Sequence, residues 1–133
     1  MSAETLNFII IDDSKLDCFI AEKIIRNTGK AGDVKSYMSA SAALEHISTT
    51  PAPPANDKTM VLLDIQMPIM NGFDFMEAFE KLPEDVRAGY NVYMLSSSIN
   101  ENDLNRVKSF SSIKQFLNKP LTSSALAGIL EGL

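Results

Sequence analysis

The chain has 133 residues, 45% of them hydrophobic and 22% charged, which is typical of a globular protein with a sizeable core. This length predicts one domain over residues 1–133. Its formal net charge of −5 argues against direct binding to DNA or to an anionic membrane. No apolar run is long enough to span a bilayer, the first residues lack the basic segment of a signal peptide, and a single cysteine excludes an intramolecular disulfide. These features predict a cytoplasmic protein.

The first half of the chain alternates between strand and helix. The apolar run Leu6–Ile11 predicts a strand. Ser14 is then expected to cap a helix that ends at Asn27. The apolar positions that recur at helical spacing are Leu16, Phe19, Ile20 and Ile24. The half-polar run Asp33–Met38 predicts an edge strand, and a short helix is expected over Ser41–Ile47.

The most informative stretch follows a proline-rich segment, Thr49–Lys58, that predicts a surface loop. The run Met60–Leu63 is wholly apolar, which is typical of a strand buried on both faces in the middle of a parallel sheet. Asp64 comes directly after it, and the chain then turns through Asn71-Gly72. In open parallel sheets, ligands bind outside the carboxyl ends of the strands, so Asp64 is placed where chemistry is expected.

The second half of the chain continues the same alternation. The expected elements are a helix over Phe73–Leu82, a strand over Tyr90–Leu95, a helix over Glu101–Phe110 capped by Asn100, a strand over Ile113–Leu117 and a last helix capped by Thr122. Five such units predict an α/β fold: a doubly wound parallel sheet of five strands with helices on both faces. The right-handed crossover rule favours the strand order 2-1-3-4-5.

Polar side chains follow four of the five predicted strands, and that strand order brings them together. Asp12 and Asp13 follow the first strand, Asp64 the third, Ser96 the fourth and Lys119 the fifth. Three ionised carboxylates in one crevice repel each other and need a cation, and a site open to water suits Mg²⁺. A lysine and a hydroxyl can hold phosphoryl oxygens. This combination predicts phosphoryl transfer to an aspartate.

The same residues resemble the receiver domains of two-component response regulators, in particular stand-alone regulators of the chemotaxis type. The motifs similar to that family are Asp12-Asp13, the run from Asp64 to Gly72, Ser96 and Lys119-Pro120. The resemblance covers nearly the whole chain and implies a flavodoxin-like receiver fold. It also implies that Asp64 is the phosphoacceptor, receiving its group from a sensor histidine kinase or a phosphotransfer protein.

The resemblance further implies a set of roles around the acceptor. Asp13, Asp64 and the backbone carbonyl of Gln66 would bind Mg²⁺ directly, and Asp12 would bind it through water. Lys119 would pair with the phosphoryl group. The peptide between Lys119 and Pro120 is expected to be cis. Such a domain promotes its own phosphorylation and dephosphorylation and is not an enzyme acting on other substrates.

A switch and a lifetime control follow from the same resemblance. Ser96 would move towards the phosphoryl group, and Phe116, where the family often has tyrosine, would swing into the vacated space. An ordinary apolar residue on the fifth strand is an equally good interpretation of Phe116. Gln66 and Ser98 would overhang the acyl phosphate and tune its lifetime. The surface expected to change is the one formed by the fourth predicted helix, the fifth strand and the last helix.

Little chain follows Lys119-Pro120, so output is expected through an unknown downstream protein or a phosphorylation-dependent homodimer. The alternative function is a receiver-like domain that binds proteins independently of phosphorylation. A phosphohydrolase of the haloacid dehalogenase type would need an aspartate at position 66, where this chain has Gln66. A flavodoxin would need a phosphate-binding loop after the first strand, where Asp12 and Asp13 would repel the phosphate.

Overall fold

The computed structural model describes residues 5–49, 57–97 and 100–131. Its strands are β1 (Thr5–Ile11), β2 (Ala31–Tyr37), β3 (Asp57–Asp64), β4 (Tyr90–Ser96) and β5 (Ile113–Asn118). Its helices are α1 (Lys15–Asn27), α2 (Ala40–Thr49), α3 (Gly72–Phe79), the one-turn α4 (Glu84–Arg87), α5 (Glu101–Ser109) and α6 (Ser123–Glu131). The strands pair in parallel in the order β2-β1-β3-β4-β5. The predicted fold and strand order are confirmed.

The central strand β3 is buried on both faces, as its apolar sequence predicts. The side chains of residues 60–63 are at most 2% exposed. Alternate residues of β3 belong to two different hydrophobic cores: Val61 and Leu63 pack with α2, α3 and α5, and Met60 and Leu62 pack with α1 and α6. Each large apolar side chain buried in this way stabilises the fold by about 1.5–3 kcal/mol. The strand that ends at Asp64 is therefore anchored from both sides.

Side-chain caps fix where the helices next to the carboxyl edge of the sheet begin. Ser14 Oγ accepts a hydrogen bond from the backbone N–H of Asp17 at the start of α1. Asn100 does the same for α5, and the hydroxyl of Thr122 for α6. Asn71 caps α3 in a reciprocal capping box with Asp74. The caps predicted at residues 14, 100 and 122 are confirmed.

Several predicted boundaries are wrong by a few residues. β2 begins at Ala31, and β3 begins at Asp57, within the segment predicted to be a loop. α3 ends at Phe79 instead of Leu82, because Pro83 has no N–H to donate to the carbonyl oxygen of Phe79 and disfavours helical geometry at Leu82. The unpredicted one-turn α4 begins directly after Pro83.

The apolar stripe predicted for α1 is only partly correct: Ile24 packs against the core and Ile20 is half-buried, but the other two residues are exposed. Leu16 is 66% exposed and Phe19 is 64% exposed. The buried face of the helix is instead formed by Cys18, Ala21 and Ile25, which recur at i, i+3 and i+7. Cys18 and Ala21 are small, and Ile25 is a large side chain that this face buries completely. No helix in the described part of the chain is long and apolar enough to cross a membrane.

Candidate phosphoacceptor site

Backbone hydrogen bonds between neighbouring strands hold the polar residues at the carboxyl edge of the sheet. The N–H of Asp12, just after β1, donates to the carbonyl oxygen of Tyr37 at the end of β2 at 3.0 Å. The N–H of Lys119, just after β5, donates to the carbonyl oxygen of Ser96 at 3.0 Å. Asp64 is the last residue of β3 and pairs in register with Leu95 of β4. The side chains of this edge therefore project from fixed backbone positions.

Three carboxylates meet at this edge. Asp12, Asp13 and Asp64 each offer an oxygen, and these oxygens all lie within 4.8 Å of one another. Asp12 and Asp64 are each 5% exposed, whereas Asp13 is exposed. Hard oxygen ligands in a group with one solvent-facing member fit the requirements of Mg²⁺, which usually keeps several waters. The donor set therefore suits the metal that the sequence predicts.

A single ammonium group lies among the buried carboxylates. Nζ of Lys119 is 2.6 Å from Oδ2 of Asp12 and 3.3 Å from Oδ1 of Asp64, and its side chain is only 13% exposed. Burial alone would lower the pKa of Lys119, but its hydrogen bonds to Asp12 and Asp17 raise that pKa above the ordinary lysine value. Lys119 therefore stays charged and offsets part of the negative charge of the site.

Asp64 is the carboxylate whose ionisation the fold opposes most clearly. Burial, followed by the nearby charge of Asp12, raises the pKa of Asp64 to about 6, although Lys119 and the backbone N–H of Gln66 act in the opposite direction. A shift of this size corresponds to about 3 kcal/mol of unfavourable free energy for the charged form. A cation bound beside Asp64 would relieve this cost.

We expect Asp64→Asn to stabilise the metal-free protein at neutral pH by up to about 3 kcal/mol, because the variant has no carboxylate to ionise in the buried site. The pKa of Asp64 is higher in the folded protein, at about 6, than its ordinary value of 3.8. The stability contributed by the neutral carboxyl is therefore fully present below pH 4 and is lost as the pH rises through 6. Urea unfolding of both proteins in chelator at pH 4 and pH 7.5 measures the difference in their free energies of unfolding. The same difference at the two pH values would contradict the prediction.

The loop after β3 is held tightly against the strand that carries Asp64. The N–H of Gly72 donates to the carbonyl oxygen of Ile65 at 2.8 Å, and the N–H of Met70 donates to that of Pro68 at 2.7 Å. Ile69 between them has a φ of 70°, which a branched residue adopts only when its surroundings enforce it. The sequence predicts a turn here, and the described turn reverses the chain within a few residues of the carboxylate.

Gln66 lies in this loop beside Asp64. Its side chain is exposed, and its backbone N–H donates to Oδ1 of Asp64 at 3.4 Å. Gln66 also lines an open groove of about 440 Å³ between the loop and α5, with Arg106 on the opposite wall. The position of Gln66 fits a side chain that limits access to Asp64. Its predicted roles, as a carbonyl ligand and as a lifetime control, stay predictions.

The predicted switch residues, Ser96 and Phe116, both lie near the carboxyl edge of the sheet but differ in how deeply they are buried. Ser96 ends β4 and is 1% exposed. Phe116 is half-buried on β5, opposite Met94 of β4, and packs against the core shared by α2, α3 and α5. The Lys119–Pro120 peptide is cis. Ser98 lies outside the described residues. The exchange of positions predicted for Ser96 and Phe116 stays a prediction.

Asp17 is the member of the site that the sequence did not reveal. It lies in the first turn of α1, where its charge favours the start of the helix, and its Oδ2 lies 2.9 Å from Nζ of Lys119. Cys18, the next residue, lies with Sγ 3.4 Å from the carbonyl oxygen of Asp12, and burial raises the pKa of its thiol to about 11. The thiol therefore stays protonated and helps to pack α1 against the site.

Comparisons with known proteins agree with this geometry. The family model of the response regulator receiver domain matches residues 8–131. The crystal structure of a response regulator receiver protein from Dyadobacter fermentans DSM 18053 is 37% identical in sequence, with 96% of each chain covered and a TM-score of 0.85. None of the curated proteins compared with this chain matches it.

Two other solved structures are similar at lower identity. A two-component response regulator from Cytophaga hutchinsonii is 25% identical, covering 96% of this chain and 95% of its own, with a TM-score of 0.81. The chemotaxis protein CheY4 of Vibrio cholerae is 17% identical, covering 96% of this chain and 98% of its own, with a TM-score of 0.75. At that identity the likeness to CheY4 concerns the fold alone.

Proposed function

This chain belongs to the family of response regulator receiver domains, and we propose that it is a phosphorylation switch whose phosphoacceptor is Asp64. The observation that carries the proposal is the placement of Lys119, whose ammonium bridges the buried carboxylates of Asp12 and Asp64 at the carboxyl edge of the sheet. The donor is a phosphohistidine of a sensor histidine kinase or a phosphotransfer protein.

In the proposed transfer, a carboxylate oxygen of Asp64 attacks the phosphorus of the phosphohistidine. The new O–P bond forms as the N–P bond breaks, and the departing imidazole nitrogen keeps the electron pair and later takes a proton from water. Lys119, fixed at this edge by its backbone bond to Ser96, offers its positive charge to the transferred oxygens. The acyl phosphate is later hydrolysed, which resets the switch.

Asp13, Asp64 and the backbone carbonyl of Gln66 are the proposed direct ligands of Mg²⁺, with Asp12 acting through water. When bound, the metal would supply positive charge to the transferred phosphoryl oxygens. Asp12 holds its place because Oδ1 accepts from the backbone N–H of Ser14 at 3.0 Å while Oδ2 faces Lys119. The chain's own residues thus orient the carboxylates before any ligand binds.

Output is proposed to pass through the face formed by α5, β5 and α6. Ser96 would donate its hydroxyl to a phosphoryl oxygen, and Phe116 would turn inward behind it. α5 is linked to α3 by Arg106, whose guanidinium lies 4.4 Å from the ring centroid of Phe73 and 3.3 Å from a carboxylate oxygen of Glu77. A shift of α5 would rearrange these contacts and change the exposed surface of the helix. A downstream protein or a second copy of the chain that binds this face would then distinguish the two states.

The experiment that tests the function is intact-mass analysis after incubation with Mg²⁺ and a small phosphodonor such as acetyl phosphate. We expect one phosphoryl adduct that hydroxylamine removes, because acyl phosphates are cleaved by that nucleophile. Asp64→Asn is the matched control and should give no adduct, since an amide is not a phosphoacceptor. If saturating donor produces no adduct on the wild-type chain, the phosphorylation-independent interaction domain becomes the better interpretation.

Gln66 and Ser98 are proposed to tune the lifetime of the acyl phosphate. Because Gln66 is exposed beside Asp64, Gln66→Ala should change the access of water and shift the dephosphorylation rate by a factor of about 3 or more, equivalent to about 0.7 kcal/mol in the barrier. The rate is measured from the decay of the adduct after donor removal. Identical decay in the variant and the wild-type chain would rule out this role.

A further inference from the structure

Lys119 has more carboxylate partners than the proposed function uses. Its Nζ lies 2.6 Å from Asp12, 2.9 Å from Asp17 and 3.3 Å from Asp64. An ammonium group has three N–H donors. These three partners match that number, so a phosphoryl oxygen that binds Lys119 has to take the place of one of them.

The three partners differ in how much water reaches them. The side chains of Asp12 and Asp64 are 7% and 6% exposed, whereas that of Asp17 is 33% exposed. A buried carboxylate that loses its cation is left uncompensated, but a partly exposed one can be solvated again. Before the O–P bond to Asp64 forms, Asp17 is therefore the partner that the ammonium can release at the lowest free energy.

The backbone of Asp17 is held in place independently of Lys119. Its N–H donates to the capping hydroxyl of Ser14 at 3.2 Å, in the first turn of α1. The carboxylate of Asp17 therefore stays close to the site even when its contact with Lys119 is broken. The ammonium can return to it once the phosphoryl group has left.

We propose that Asp17 is a positioning residue that holds Lys119 in the unphosphorylated protein and is displaced from it by the incoming phosphoryl group. This inference rests on the proposed function, because it concerns how the lysine of that same site is held before the phosphoryl group arrives. Asp17 competes with the phosphoryl group for one donor and so lowers the affinity of the resting site for it. The residue sets a threshold for activation without touching the reacting atoms.

The test compares Asp17→Ala with Glu22→Ala, which truncates another carboxylate of α1 that pairs with Arg26 at 2.9 Å instead of with Lys119. Calorimetric titration with beryllofluoride, a phosphoryl mimic, in excess MgCl₂ measures the Kd. We expect Asp17→Ala to tighten it about threefold to tenfold and Glu22→Ala to leave it unchanged. The difference should persist at about 0.5 M KCl, where longer-range charge effects are screened.

A second readout does not depend on the mimic. In metal-free protein, ¹⁵N NMR of the Lys119 ammonium should show faster proton exchange in Asp17→Ala than in Glu22→Ala or wild type, because one of the three carboxylate partners has gone. Unchanged exchange would mean that the ion pair is not held in solution, which overturns the inference.

The binding outcomes separate the two proposals. If the wild-type chain does not bind beryllofluoride, the proposed function falls and this inference falls with it. If wild type binds but Asp17→Ala binds equally or more weakly, the inference about Asp17 is overturned and the proposed function stands. Tighter binding by Asp17→Ala alone supports both.

Discussion

Replacing Lys119 with alanine should destabilise the metal-free protein by about 3–5 kcal/mol, because it leaves two buried carboxylates without their cation. Asp12 and Asp64 are both 5% exposed and both face Nζ of Lys119. Without that charge, their mutual repulsion is relieved only by protonation or by partial unfolding of the edge. Urea unfolding at pH 7.5 in chelator measures the loss.

A double variant shows whether the loss comes from charge. Adding Asp64→Asn to Lys119→Ala should restore part of the stability, since one of the buried carboxylates is then neutral. Millimolar Mg²⁺ should also restore part of it in the single variant, because a ligand that binds only the folded state stabilises that state. A Lys119→Ala protein that unfolds at the wild-type midpoint would contradict the electrostatic account of this edge.

The same substitution should slow formation of the adduct with acetyl phosphate by about 100-fold, a typical effect of removing a preorganised electrostatic group. In the proposed transfer, Lys119 offers the transferred oxygens a positive charge that water supplies less well in a buried site. The initial rate by intact mass is the measurement, taken under conditions in which the variant is folded. Lys119→Arg keeps the charge with a different geometry, so its rate of adduct formation should lie between those of wild type and Lys119→Ala.

The fold and the centre of the site follow from short-range features of the sequence. Met60–Leu63 is apolar at every position, a pattern typical of a strand covered on both faces, and its residues are buried. Once that strand is central, the connection rules place the residues that follow it and its neighbours at one edge. Asp12, Asp64 and Lys119 were predicted to meet for this reason, and they lie within ion-pair distance.

Contacts that depend on how a helix is rotated could not be predicted in the same way. The stripe predicted for α1 joined Leu16, Phe19, Ile20 and Ile24, but Leu16 and Phe19 are exposed. The buried face is formed by Cys18, Ala21 and Ile25, and its orientation depends on contacts with the sheet and α6 that are distant in the sequence. The same rotation brings Asp17 to Lys119, which is 102 positions away in the sequence. No local sequence pattern predicts that contact.

Gly72→Ala should destabilise the protein by about 2–3 kcal/mol, as expected for overpacking of a tightly packed interior. A Cβ at this position would lie 2.7 Å from the carbonyl oxygen of Asp64 and 2.9 Å from Cα of Ile65. Both are backbone atoms at the end of β3, so relief requires the strand end or α3 to move. The third close atom, Cε of Met94 at 2.8 Å, is the end of a flexible side chain and can move aside.

Because the clash is with the backbone of Asp64, the proposed phosphoacceptor, we expect Gly72→Ala to affect function as well as stability. A shift of the strand end would move Asp64 relative to Lys119, so adduct formation should slow even where the variant remains folded. Gly128→Ala is the matched control: a Cβ there meets nothing within 4 Å in α6, and the change should stabilise by about 0.5–1 kcal/mol. We expect the denaturant midpoint of Gly72→Ala to lie below that of wild type and the midpoint of Gly128→Ala to lie above it. If Gly72→Ala is as stable and as readily phosphorylated as wild type, the close approach of α3 to β3 does not position Asp64.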